Sequence, residues 1–286
     1  MWVWSHISYR LYFSRNKLMT MTKTTRPAAV AGIFYPGKAS ELQDQINGFL
    51  NEQEVSHNQV PKALIVPHAG TIYSGSIAAS AYRHLLQYRH VIRKVILLGP
   101  AHRVYLNGMA LPSVDKFETP LGEVDLDTKT IKSLVEKFPQ ITFSDEAHAE
   151  EHSLEVQLPF LQSILASFRL IPFVVGEATA HEVAEVINNL WGRDECLILI
   201  STDLSHFHRY KKAVSLDSKT AELIESFKGD DLPDQSACGR NPVRGLLSVA
   251  GPRRMSIQRY DLRNSGDTAG TKDQVVGYGS WGLYQN

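Results

Sequence analysis

The sequence predicts an α/β fold with a mostly parallel central sheet flanked by helices. Three observations predict it. Short, wholly apolar runs recur at residues 63–66, 95–98, 170–175 and 197–200. Amphipathic or small-residue stretches with helical spacing separate them. A strand that is apolar on both faces is buried on both faces, and helices are what cover a parallel sheet. The chain has 286 residues, 43% of them hydrophobic and 21% charged, which is enough apolar material for one large domain.

The elements follow in order. Ser40 is placed to cap a helix with Leu42, Ile46, Phe49 and Leu50 on one face. The run at 63–66 stops at Pro67, and residues 75–86 read as a small-residue helix. The run at 95–98 ends at Gly99 and Pro100. Asp127 caps a helix that reaches Phe138. Residues 151–165 are amphipathic. Residues 170–175 form a strand that Pro172 should break. Residues 181–191 are helical and 197–200 form a strand. Asn241-Pro242 opens a helix over 243–249. Residues 257–262 and 275–284 are two late strands, the second alternating with Gly277, Gly279 and Gly282.

Residues 26–286 read as a single domain, and residues 1–25 as an extension ahead of it. The extension mixes Trp2, Trp4, Tyr9, Tyr12 and Phe13 with Arg10, Arg15 and Lys17, and no acid occurs before Glu41. It lacks the apolar core and small-residue cleavage site of a secretory signal, and Met19 and Met21 read as alternative starts.

Lys plus Arg number 30 and Asp plus Glu number 30, so the formal charge is zero. Bulk charge therefore gives no reason to expect nucleic acid or an anionic membrane as a partner. No apolar run approaches the roughly 20 residues of a membrane-spanning helix. Two cysteines, Cys196 and Cys238, make no disulfide framework and fit a reducing, cytoplasmic setting. Cys196 opens an apolar run and reads as a core thiol. No P-loop pattern occurs, and the glycines at 277, 279 and 282 fall within a late strand rather than opening a helix, so no nucleotide cofactor is expected.

In open parallel sheets ligands bind outside the carboxyl ends of the strands. Three strand ends here deliver His68, His102, and Asp203 with His206. His68 and His102 lie 34 residues apart, about one strand–helix–strand unit. Cys238 precedes a helix start beside Arg240, a setting that favours thiolate. Two imidazoles and a thiolate would hold a metal and leave a coordination position open. Linear order alone does not bring Cys238 to the histidines. A competing pattern is His148-Ala149-Glu150-Glu151-His152, an H-x-x-E-H zinc-hydrolase arrangement. It requires both histidines on one helix face, whereas the amphipathic run starts only near Glu150. Glu151, His152 and Glu155 can face a cleft in either case.

These motifs resemble the Memo family, that of the mediator of receptor-tyrosine-kinase-driven cell motility. The resemblance is carried by Pro67-His68-Ala69-Gly70 with Tyr73-Ser74-Gly75, by Gly99-Pro100-Ala101-His102 and by Glu151-His152-Ser153-Leu154-Glu155. Ser201-Thr202-Asp203-Leu204-Ser205-His206, Cys238-Gly239-Arg240 and the opening segment from Arg26 to Pro36 complete it. It implies a fold like the class III extradiol dioxygenases, which are non-haem iron enzymes. It implies a metal pocket of His68, His102 and Cys238, lined by Asp203 and His206 as catalytic candidates; Glu151, His152 and Arg240 are further pocket candidates from their own positions in the sequence. The dioxygenase relatives complete the metal triad with a carboxylate. Cys238 departs from that, and a softer thiolate favours iron or copper redox chemistry over ring opening, with zinc as a further choice. Some family members are described as signalling or phosphopeptide-binding proteins, and prokaryotic ones resemble partners of a radical SAM protein. The first expectation is thus a metal-dependent, redox or dioxygenase-like protein taking a small molecule or peptide in its cleft. The second is a non-enzymatic peptide- or partner-binding protein on the same fold. The third is a zinc hydrolase using His148 and His152.

Overall fold

The computed structural model describes residues 24–55 and 59–286. Most of the expected extension, residues 1–23, lies outside the described residues. Thr25 belongs to the fold, because Thr25–Arg26 pairs in parallel with Lys116–Phe117.

The architecture is α/β. Four adjacent parallel strands form the centre, in the order Ala63–Val66, Cys196–Ser201, Lys94–Pro100, Arg169–Val175. Val275–Tyr284 adds antiparallel to Ala63–Val66, and both Ser256–Asn264 and His206–His208 pair antiparallel with it. At the other edge Met109–Leu111 runs antiparallel to Arg169–Val175 and parallel to Ile141–Phe143. The nine-stranded sheet is therefore mixed, and the expected parallel pattern is confined mainly to its centre. The two late strands return without a crossover helix, and short connections of that kind give antiparallel pairs.

Pro172 does not break its strand. Leu170 turns its carbonyl away from Lys94–Pro100, to the Asp127 amide, at 2.9 Å. Residues two apart in a strand point the same way, so the proline nitrogen faces that side too. There the next strand pairs only with Val174 and Val175, and the missing N–H leaves no ladder bond unmade.

The first helix, Ala39–Asn51, buries Leu42, Ile46 and Leu50 as the spacing predicts, but it starts after Lys38, so Ser40 is not its cap. Asp127 does cap Thr128–Lys137 by accepting from the Thr130 amide. The expected helix over 151–165 is two, His152–Glu155 and Leu158–Ile164, with Pro159 in the first turn of the second. Among the described residues no helix is long and apolar enough to cross a membrane.

A buried ion pair fastens the opening segment to the helix His152–Glu155. Arg26 Nη1 meets Glu155 Oε2 at 2.5 Å, with side chains 5% and 0% exposed. The Glu155 carboxylate also accepts from the Ala29 and Val30 amides and the Tyr35 hydroxyl. Burial and the neighbouring carboxylate push the Tyr35 phenol well above its ordinary range. Arg26 donates onward to the carbonyls of His148 and Glu151 and lies over the Phe117 ring.

Candidate metal centre

His68 follows the strand Ala63–Val66 and is buried. His102 follows Lys94–Pro100 and is partly exposed. Asp203 follows Cys196–Ser201. Cys238 comes from elsewhere, from the turn ahead of the helix Arg240–Ala250, and its amide donates to the Asp203 carbonyl at 3.2 Å. One donor atom each from His68, His102 and Cys238 lies within 4.8 Å of the other two. Cys238 Sγ is 3.3 Å from His68 Nε2.

Gly239 allows this approach. A Cβ there would come 2.6 Å from Thr202 Cβ and 2.8 Å from the Ser201 carbonyl, while the Gly239 amide donates to Thr202 Oγ1 at 2.8 Å. Gly239→Ala is expected to push the Cys238 turn off the strand end. The expected cost is about 1–3 kcal/mol, the range for overpacking a dense site. Chemical denaturation measures it, and an unchanged midpoint would contradict the contact.

Hydrogen bonds fix the tautomers of both imidazoles. Ser201 Oγ gives its proton to the Ser153 carbonyl at 2.6 Å and accepts from Gln157 Nε2 at 2.8 Å. His68 Nδ1, 2.8 Å from the same oxygen, must therefore carry the proton and donate it. That leaves the Nε2 lone pair of His68 toward Cys238. His102 Nδ1 is 2.9 Å from Glu151 Oε1, and an acceptor-only carboxylate makes it the donor too. Glu151 is 1% exposed. Burial acts to raise its carboxyl, but bonds from the His102 ring and from the Ser153 and His102 amides outweigh that and hold it down at about 2.

Against the expected thiolate, the metal-free surroundings of Cys238 favour the thiol. Burial, with Asp203 adding to it, pushes the thiol up to about 12. Arg240 pairs with Asp234. The amide of Asp203 does point at the sulfur, at 3.2 Å. Asp203 itself works through the backbone: its Oδ1 accepts from the His68 amide at 2.8 Å, whereas Ser201 orients the imidazole. Burial raises the Asp203 carboxyl to about 7. Burial also lowers the His206 imidazole.

Asp203, His206 and His152 line a cavity of about 550 Å³, walled by Phe34, Tyr73 and Tyr278. Glu151 is the N-cap of the helix His152–Glu155, and the His152 ring lies between Phe34 and His102, 4.5 Å from each centroid. His148 is not part of this cluster. It sits on a separate helix, Asp145–Ala149, which ends at Glu150. Its buried ring donates from Nε2 to the Ala110 carbonyl at 3.1 Å and faces Phe117. The H-x-x-E-H arrangement is thus split over two helices. The hydrogen-bonding roles of Ser201, Gln157 and Ser153 escaped the sequence reading. Ser201 had a signal, since it is the polar residue that ends an otherwise apolar strand.

Fold and cluster define an α/β protein with a histidine–histidine–cysteine constellation at the carboxyl edge of its sheet. The Memo-like protein family profile matches residues 26–281. A MEMO1 family protein of Sulfolobus acidocaldarius is 35% identical over 278 residues, covering 88% of this chain and 97% of its own. One from Aquifex aeolicus is 36% identical over 270 residues, with the same coverage. The chain belongs to the Memo-like family. A crystal structure of an uncharacterized Escherichia coli K12 protein shares the fold at a TM-score of 0.53 and 12% identity, covering 76% of this chain and 98% of that one.

Proposed function

We propose that His68, His102 and Cys238 hold a redox metal, iron or copper, on an extradiol-dioxygenase-like scaffold. The observation that carries this reading is the pair of locked tautomers. Ser201 and Glu151 each take an Nδ1 proton, so both Nε2 lone pairs are free, that of His68 3.3 Å from the Cys238 sulfur. Metal-ligating histidines are held in this way by a partner on the other nitrogen. Iron or copper bound there would supply electron-transfer chemistry with positions open to oxygen or a small molecule. Zinc would fit the same donors as a Lewis acid.

The chain's own residues have separable tasks. Asp203 anchors the His68 turn and can hold or release a proton near neutrality. His206 is the candidate for moving protons at the cavity wall. Phe34, Tyr73 and Tyr278 supply aromatic walls and bound the space for a small molecule or a peptide side chain. Free Cys196 and Cys238 fit a reducing, cytoplasmic setting.

The test is elemental analysis of protein purified without added metal. Near-stoichiometric iron or copper is expected in wild type, and background content in His68→Ala and Cys238→Ser. Equal content in all three would remove the site. A second reading is a non-enzymatic peptide-binding protein. It draws on Ile33 and Phe207, apolar side chains left 77% and 69% exposed on the cavity lining. Metal-loaded protein with no oxygen consumption or redox turnover over a broad substrate panel would favour it.

A further inference from the structure

We infer that a second divalent cation binds beside the thiolate centre, held by His102 Nδ1, Glu151 and His152 Nδ1. One ligand atom from each of these three residues lies within 4.8 Å of the other two. Glu151 Oε1 is 2.9 Å from His102 Nδ1 and 3.4 Å from His152 Nδ1. With metal bonds of about 2.0–2.1 Å, ligand atoms stand about 2.9 Å apart around an octahedral ion and about 3.3 Å around a tetrahedral one. The two spacings therefore match edges of a coordination shell.

The orphaned nitrogen points the same way. His152 Nδ1 is buried and makes no hydrogen bond within the described residues, although a carboxylate oxygen lies 3.4 Å away. A buried polar atom without a partner costs about 1–3 kcal/mol, so an occupant is expected. The ring cannot easily turn aside, because Phe34 and His102 pack against it. The carboxylate is equally fixed. Its oxygens accept from the His102 amide at 2.6 Å and the Ser153 amide at 2.8 Å, and these bonds can persist with a cation on Oε1.

Two imidazoles and one carboxylate with open positions form the donor set of divalent iron, manganese, cobalt or zinc sites. It is harder than the thiolate set, so the two sites would differ in preference. The inference shares His102 with the proposed thiolate centre but stands on different atoms. With both sites filled, His102 bridges them as an imidazolate. The new Nδ1–metal bond replaces the Nδ1–H bond, and that proton leaves to solvent.

Cobalt(II) titration of the full-length metal-free protein tests this, with bound metal counted after equilibrium dialysis. Thiolate ligation is read separately by the sulfur-to-cobalt charge-transfer band in the near ultraviolet. Wild type should bind two equivalents. His152→Phe keeps a ring against Phe34 and should bind one, with the band intact. His152→Ala should do the same, and circular dichroism of both variants checks the fold. Cys238→Ser should bind one equivalent without the band. A single equivalent in wild type, or two retained in both folded His152 variants, overturns the second site and leaves the thiolate centre standing. One equivalent lost in His152→Phe but none in Cys238→Ser supports the second site and removes the first.

Discussion

Arg26→Ala is expected to destabilise the protein by about 3–5 kcal/mol, the cost of leaving one partner of a buried ion pair uncompensated. Arg26 and Glu155 are 5% and 0% exposed, so solvent cannot take over the lost contact. The Glu155 carboxylate would keep the Ala29 and Val30 amides and the Tyr35 hydroxyl but lose the guanidinium that balances its charge. The carbonyls of His148 and Glu151 would lose their donors as well. Arg26→Lys restores the charge without the planar fork, and its loss should be smaller. Urea unfolding of the three proteins gives the order. A loss below about 1 kcal/mol for Arg26→Ala would show that the pair is not what holds the opening segment. The damage should reach the site, because the same guanidinium grips the turn that presents Glu151.

The second large effect is on metal affinity. Glu151→Gln is expected to weaken binding at the thiolate centre about 10- to 100-fold, as loss of a ligand-orienting carboxylate does. The carboxylate receives three N–H groups: the His102 amide, the His102 ring and the Ser153 amide. A carboxamide has one acceptor oxygen and would turn its own N–H₂ toward one of these donors. Ser201→Ala should act on His68 in the same direction, since it removes the acceptor for the Nδ1 proton. Its oxygen is also one of two acceptors for Gln157 Nε2, the other being the Pro67 carbonyl. Chelator competition, read by the thiolate–cobalt band, measures both. Affinities within twofold of wild type would mean that the imidazoles are held by packing alone.

Parts of this arrangement were legible in the sequence. The apolar runs at 63–66, 95–98 and 197–200 announced strands buried on both faces, and the structure places them side by side at the centre of the sheet. His68, His102 and Asp203 were visible because strand ends in such a sheet share one edge. Asp127 was legible as a cap because capping is a contact within one turn. Pro172 was misread because a proline's cost depends on whether a neighbour faces its nitrogen, and that neighbour is distant in sequence. The sheet proved mixed for a similar reason. Apolar runs report burial, not strand direction.

By itself, the sequence determined the α/β class, the family through its ordered motifs, and the residue types available for a metal. Those are properties of local pattern and chemistry. Tertiary structure alone decided which of them meet. It brought Cys238 to 3.3 Å from a histidine 170 positions away, and Gly239 made the approach sterically possible. It moved His148 out of the cleft and kept His152 in it. It also assigned Ser201 and Glu151 the Nδ1 protons. A hydrogen-bond partner is chosen by position in space, and only the packed fold supplies that position.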